Sequence, residues 1–470
     1  MAMSEHREVE MNLHQRSLVD VCFEEGLYGN GTAILARLRS PNYAPSVYHI
    51  EQLLYICLYP SSFTKENHLP ETPASPSKDK RLKELFSFSV EDVIAAQNLL
   101  LSFAHTNSPE NILRALPSYS SDMTRPFYKG EDLDSLFARE AHQNFASCKN
   151  CWSILADGFL PRVMQRAQQK GKDKIVYQRD TDELDVEINP VSDNAWPIFD
   201  WLLTLFERDE QQTEKRGLPR HSPLFLKQLP PFPSGKGVRW ESDGPIGVLF
   251  HALQTDERGR LLGARLMSIL VNLASTTHID FHTFVTIMFT RISADNVDGF
   301  LRTLSSMPPS LPVLRFKISI LHKLLGSKTL STNSDRPKPQ ARAKPRPARR
   351  NGGSHQEQTS AEPVIPSSSS SIVANPLLPA CSEISRAMES SSHHFSDSDM
   401  SPASVKAELC LAYGQYQQQI QPETRDREWL AFLGNGDWSQ LLDNSLPSTA
   451  VNDNYREVLN AFLISWKESS

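Results

Sequence analysis

The sequence predicts an all-α protein: an irregular helical array or HEAT-like α-solenoid with a small β-hairpin insertion, a long disordered linker and a short C-terminal helical module. Three observations predict it. Apolar residues recur at three- and four-residue spacing through most of the chain, which places them on one side of a helix. Residues that start and stop helices flank many of these segments. Between 246 and 326 five such segments follow one another through short turns, as stacked antiparallel helices do. With 470 residues, 39% of them hydrophobic, the chain can build several packed units or one elongated array.

Residues 1–60 read as three helices. Leu13, Leu18, Val19, Val21, Cys22 and Leu27 form the apolar face of the first. Gly29 and Gly31 around Asn30 predict a turn, and Ala33, Ile34, Leu35 and Leu38 a short second helix. Pro45-Ser46 opens a third, bearing Val47, Ile50, Leu53, Leu54 and Cys57 and stopped by Pro60. Residues 61–80 are polar and punctuated by proline, a mobile loop.

The region 81–210 resumes the helical pattern. Ser89 and Asp92 form a capping-box-like start for a helix from Val90 to Phe103. Ser108-Pro109 is an N-cap and N1 pair for a helix over Glu110–Leu116. Leu133, Leu136, Phe137 and Ala141 make another stripe, continued around Trp152 and Leu155. Short alternating runs at 174–178 and 184–188 predict a β-hairpin near 174–188. Asp193, Asn194, Trp196 and Pro197 begin a strong helix that Glu207-Arg208-Asp209-Glu210 closes. Residues 211–245, rich in Pro and Gly, read as an extended surface connector.

The five-helix array of 246–326 is expected at Ile246–Leu253, Arg258–Ala274, Phe281–Ile292, Val297–Leu304 and Pro312–Leu325. Asp280 caps the third and Gly326 stands past the last. The second is apolar around most of its circumference, so it should be buried. Residues 327–402 carry a basic and then a Ser-rich run and few large apolar residues, too few to offset the entropy of ordering; they read as a disordered linker. Residues 403–470 regain three helical stripes, the second of them aromatic.

The net charge of −6 excludes a uniformly basic nucleic-acid binder but leaves room for a local patch. That patch is Arg336, Lys338, Arg342, Lys344, Arg346, Arg349 and Arg350, interleaved with four prolines and no acid. It reads as a nuclear-import signal, as a phosphate contact to DNA or RNA, or as a merely solvating run, with import favoured because the rest of the chain is acidic. Thr72, Ser75 and Ser401, each followed by proline, suit proline-directed kinases; Ser396 and Ser398, each followed by Asp, suit an acidophilic kinase. Trp429, Phe432, Trp438, Leu441, Phe462 and Trp466 sit beyond the linker. They suit docking into a partner's groove, or packing back onto the body or on each other.

Enzymatic motifs are weak. Cys148-Lys149-Asn150-Cys151 has zinc or redox spacing, yet His142 is the only further ligand near it in sequence, and structural zinc takes four. His278 and His282 have H-x3-H spacing without the Glu of a zincin motif, and Asp280 between them reads better as a cap. Ser234-Gly235-Lys236-Gly237 lacks the first Gly and the final Ser or Thr of a phosphate loop. Acid pairs Asp180/Asp182 and Glu241/Asp243 read as solvated loop charges. The six cysteines are mostly scattered, as in a reduced intracellular protein, and the charged N-terminus does not resemble a signal peptide. No run reaches the roughly 18 apolar residues of a membrane span. The expectation is a non-enzymatic nuclear scaffold for protein partners, in chromosome maintenance, DNA repair or transcription. It has no catalytic residue, cofactor, metal, membrane or small-molecule substrate. The alternative is a DNA- or RNA-binding protein using 336–350.

Overall fold

The computed structural model describes residues 8–59, 88–119, 135–160, 189–231, 244–293, 296–326, 378–390 and 401–468. Of these residues 73% are helical, in 19 α-helices, with one two-stranded sheet. The expected loop at 61–80 and hairpin near 174–188 lie outside the described residues.

The N-terminal unit begins with β1 (Val9–Glu10), α1 (Leu13–Glu24), α2 (Tyr28–Leu38), β2 (Tyr43–Ala44) and α3 (Val47–Leu58). β1 pairs in parallel with β2, Val9 opposite Tyr43. Two residues per strand leave most of the holding to side chains. Glu8 accepts from the Ser108 backbone N–H at 2.5 Å and from Asn111 at 3.0 Å, and buried Asn107 donates to the Tyr43 carbonyl at 2.8 Å. The turn after α1 differs from expectation. It falls at Gly26, which takes a left-handed φ of +73°, while Gly29 and Gly31 lie within α2. Gly31 is small for another reason: a Cβ there would stand 2.6 Å from the Phe23 ring, so glycine lets α2 cross close over α1. The apolar face of α1 is also corrected. Val19 and Phe23 are buried, but Leu13, Leu18, Val21 and Leu27 are 70, 46, 60 and 50% exposed. Period alone finds an apolar stripe and does not tell which apolar arc faces the core.

α4 (Val90–Thr106) carries the full Ser89/Asp92 capping box, and α5 (Pro109–Leu113) is capped by Ser108 but ends sooner than Leu116. α6 (Leu136–Ala146) buries Phe137 and Ala141 while Leu136 stays 56% exposed. α3 lies between α4 and α6. Phe23, Tyr28, Tyr55, Tyr59, Phe88 and Phe137 interlock around it, with Tyr28 and Phe88 centroids 4.6 Å apart.

α7 (Trp152–Leu155) leads to α8 (Trp196–Lys215), entered through a 3-10 turn at Asp193–Ala195. α8 does not close at Glu207–Glu210. It runs on to Lys215, and Asp209 and Glu210 are buried inside it. The segment after it is not wholly an extended connector. α9 (Pro223–Leu226) follows, capped by Ser222, and Leu224, Phe225 and Leu229 are buried. Phe225 meets Trp152 and Phe206 at 5.4 and 5.1 Å, so this piece is core.

The five helices expected between 246 and 326 are all present: α10 (Pro245–Leu253), α11 (Glu257–Ala274), α12 (Phe281–Arg291), α13 (Val297–Ser306) and α14 (Leu311–Gly326). Asp280 caps α12, accepting from Thr283 N–H at 2.7 Å. α11 buries Leu262, Leu266, Ile269, Leu270 and Leu273 between α8, α10, α13 and α14, with only Leu261 of its leucines turned outward.

The linker reading fails at one place. α15 (Cys381–Glu389) is a helix with Cys381, Ile384, Ala387 and Met388 buried, set against α14. Four well-placed apolar residues suffice when a groove is waiting for them. α16 (Pro402–Gln419), α17 (Arg427–Asn435), α18 (Asp437–Ser445) and α19 (Ala450–Glu468) complete the chain. α16 packs along α14, and the Lys317–Glu408 pair at 2.7 Å bridges the two. Helices α3, α4, α8, α11, α14, α16 and α19 form a succession in which each packs on the next. One continuous hydrophobic core runs through all of them, from Met11 to Trp466.

Candidate functional site

The C-terminal aromatic residues fall into the second of their two expected roles. Trp429, Trp438, Leu441 and Trp466 are buried, and Phe432 and Phe462 are half-buried against them. The three indoles meet edge to face, with centroids 5.6–5.8 Å apart. They hold α17, α18 and α19 together and seat α19 on α16, so they are occupied by this chain itself.

Asp426 locks that arrangement. Its carboxylate accepts from the Tyr413 hydroxyl at 2.6 Å, the Cys381 N–H at 3.0 Å and the Glu428 N–H at 2.8 Å. Burial pushes its carboxyl up, but these donors and the Trp429 N–H together hold it below the usual aspartate value. In sequence Asp426 is only an acidic residue three positions before Trp429. Its three partners lie on α15, α16 and α17, a coincidence no local motif records.

The second cluster that sequence reasoning missed is on α8. Arg208 donates to the carbonyls of Ala104 and Asn107 at the end of α4. Asp209 accepts from the Ser222 hydroxyl at 2.6 Å and the Leu224 N–H at 2.9 Å, which pins α9 to α8. Glu210 faces the side chains of Arg220 at 3.4 Å and Asn272 at 3.3 Å. Burial, partly offset by Arg220 and Asn272, raises its carboxyl to about 7. His221 and His278, far apart in sequence, lie ring to ring at 5.1 Å, His221 tied to the Pro219 carbonyl at 2.7 Å.

A pH dependence follows from Glu210. Its folded value lies above the ordinary 4.5, so the native state holds this proton more tightly than the unfolded chain. The resulting stability is present in full below about pH 4.5 and is lost as pH climbs toward 7, by roughly 3 kcal/mol at most. Denaturant midpoints across pH 4.5–8 should fall with this slope in the native chain and flatten in Glu210→Gln. Equal slopes in the two proteins would refute the assignment.

The expected metal and redox candidates have structural partners. Cys151 is fully buried, burial pushes its thiol well above the ordinary value, and its N–H donates to Gln228 at 2.8 Å. A thiol so held is a poor nucleophile or ligand. His142 is hydrogen-bonded to buried Glu51 at 2.9 Å. Among the described residues no group of three His, Cys, Asp or Glu is placed to hold a metal ion. Ser401 caps α16, accepting from Ser404 N–H at 3.2 Å. Thr72, Ser75, Ser396 and Ser398, and the basic residues Arg336 to Arg350, lie outside the described residues, as do Ser234–Gly237.

Fold and site together define a mostly helical protein whose polar clusters join helix to helix within one core. No helix among the described residues is long and apolar enough to cross a membrane. Comparison with protein-family models, with curated proteins and with solved structures found no match.

Proposed function

We propose that this protein is a non-enzymatic scaffold for protein–protein interaction, working in the nucleus in chromosome maintenance, DNA repair or transcription. Its helices stack in the HEAT-like manner, and α1 is a face offered to a partner. The observation that carries the reading is the outer side of α1. Leu13, Leu18 and Val21 lie exposed opposite the buried Val19 and Phe23. An exposed apolar helix face is a surface that a partner can cover. Buried Asp209 and Glu210 and half-buried His142 and Asp426 support it too, since they serve neighbouring helices.

Nuclear entry rests on the basic run. It lies in sequence between α14 and α15, both of which belong to the core, and the Ser390 hydroxyl near the end of α15 approaches the Leu325 carbonyl of α14 at 3.4 Å. The body thus anchors both sides of the segment. Phosphorylation of Ser401 would set a dianion at the N-terminus of α16, where the helix dipole favours it. The second reading, DNA or RNA binding through 336–350, is favoured by seven cations with no acid between them.

The test uses the full chain with Leu18→Glu and Val21→Glu together. Both sites are exposed, so melting should change little, within about 0.5 kcal/mol for each. Cross-linking in nuclei followed by mass spectrometry should show partners linked through α1 in the native chain and lost in the variant. Retention of every partner would remove the reading. Replacing the seven cations by glutamine should abolish nuclear accumulation. If it instead abolishes a salt-dependent affinity for duplex or single-stranded oligonucleotides while leaving accumulation intact, the nucleic-acid reading takes its place.

A further inference from the structure

A small pocket, open to solvent, lies where β1, α1, the start of α3 and the residue after α5 converge. Two guanidiniums line it, Arg16 of α1 and Arg114, with Glu10, Ser46 and Tyr48. Their charges are unequally matched. Arg114 pairs with Glu10 at 3.0 Å, and that carboxylate is half exposed. Arg16 has no ion pair among the described residues, and its Nε is buried with no hydrogen-bond partner. A buried guanidinium nitrogen without an acceptor is costly, and a ligand oxygen placed beside it would remove that cost.

The third wall is the N-terminus of α3, a helix of 12 residues. Ser46 stands at its N-cap in extended conformation, yet its side chain makes no capping bond. The Ser46 hydroxyl is therefore available to a ligand, at the end of a helix whose dipole favours an anion. The Tyr48 ring, edge-on to His142 at 5.6 Å, closes one side.

We propose that this pocket binds the phosphate of a phosphomonoester. The guanidinium of Arg16, the free donors of Arg114, the Ser46 hydroxyl and the α3 terminus approach from different directions. Three acceptor oxygens of a tetrahedral phosphate can meet them together, whereas a carboxylate has two, both in one plane. The two arginines and the helix end also outweigh Glu10, which makes room for more than a single negative charge. The inference does not depend on the scaffold reading. Phosphate binding by a protein whose partners all survive Leu18→Glu and Val21→Glu would keep this site and remove that reading.

Calorimetry on the full chain tests it, with two probes in 0.15 M chloride: inorganic phosphate, and a degenerate phosphoserine peptide library beside its unphosphorylated twin. Saturable binding is expected, weakened about tenfold or more in Arg16→Met and only partly restored in Arg16→Lys, which returns the charge without the planar fork. Glu10→Gln should tighten binding by removing the competing carboxylate. A peptide preferred over inorganic phosphate identifies a phosphorylated chain as the source; equal affinity identifies a free phosphate. Arg16 is half-buried and its Nε has no protein partner to lose, so thermal melting of Arg16→Met should stay close to that of the native protein and separate lost binding from lost folding. No saturable binding of either probe, or binding unchanged in both Arg16 variants, would overturn the proposal.

Discussion

Trp466→Ala is expected to destabilise the C-terminal helices by about 3–5 kcal/mol, the range for removing a large aromatic side chain from a closed core. Trp466 is 1% exposed and touches Trp429, Trp438 and Phe462 at centroid distances of 5.6, 5.6 and 6.0 Å. Its loss leaves a cavity that rings from three helices cannot fill. Hydrogen exchange should speed first in α19 and then in the facing part of α16, and denaturation followed by fluorescence should show an earlier transition. A loss below about 1 kcal/mol would mean that the indole is not a keystone.

The same contact gives a counterpart with the opposite chemistry. Gly414 lies in α16, where alanine is the better helix former by about 1 kcal/mol. A Cβ there would stand 2.6 Å from Cη2 of Trp466, whose ring is packed on Trp429 and Trp438. Gly414→Ala should therefore lower stability despite the propensity gain, by about 1–3 kcal/mol. Combined with Trp466→Leu, much of its cost should vanish, because the clash it creates is gone.

Asp209→Ala is the second large effect, expected at about 2–4 kcal/mol. The substitution strips the acceptor from the Ser222 hydroxyl and the Leu224 N–H, both buried, and each orphaned donor costs about 1–3 kcal/mol. α9 should loosen from α8 and uncover Phe225, which packs on Trp152 and Phe206. Asp209→Asn keeps one acceptor oxygen and should recover part of the loss. Urea midpoints of the three proteins decide it: a loss under about 1 kcal/mol in the alanine variant would show that water replaces the carboxylate.

Local chemistry made much of the fold legible. Ser89 with Asp92, Ser108 with Pro109, and Asp280 were readable as helix starts because a cap forms within four residues of sequence. The helices between 246 and 326 were readable for a related reason: short turns leave each little choice of neighbour. The errors have an equally physical origin. Glu207–Glu210 looked like a polar end of α8 because charged residues rarely lie inside. Arg208, Asp209 and Glu210 lie there only because the end of α4, the turn at Ser222 and Asn272 meet them. The α1 stripe misled because the core covers Val19 and Phe23 and leaves Leu13 and Val21 in solvent.

The candidate sites divide along the same line. The basic run and each kinase-type site are defined by a few adjacent residues, which sequence reveals directly. Asp426 and the Arg16–Arg114 pocket draw on segments far apart in the chain, so no spacing rule reaches them.

By itself the sequence determined that this chain is helical, where many of its helices begin, and that one short stretch gathers seven cations without an acid. Those properties depend on neighbours a few residues apart, whose distances the covalent chain fixes. Tertiary structure alone decided that α15 and the three tryptophans close the body rather than reach beyond it, and that an arginine faces an open pocket without an acceptor. Such outcomes depend on which surfaces meet, and buried area with paired donors, summed over distant segments, selects among the ways apolar faces can be covered.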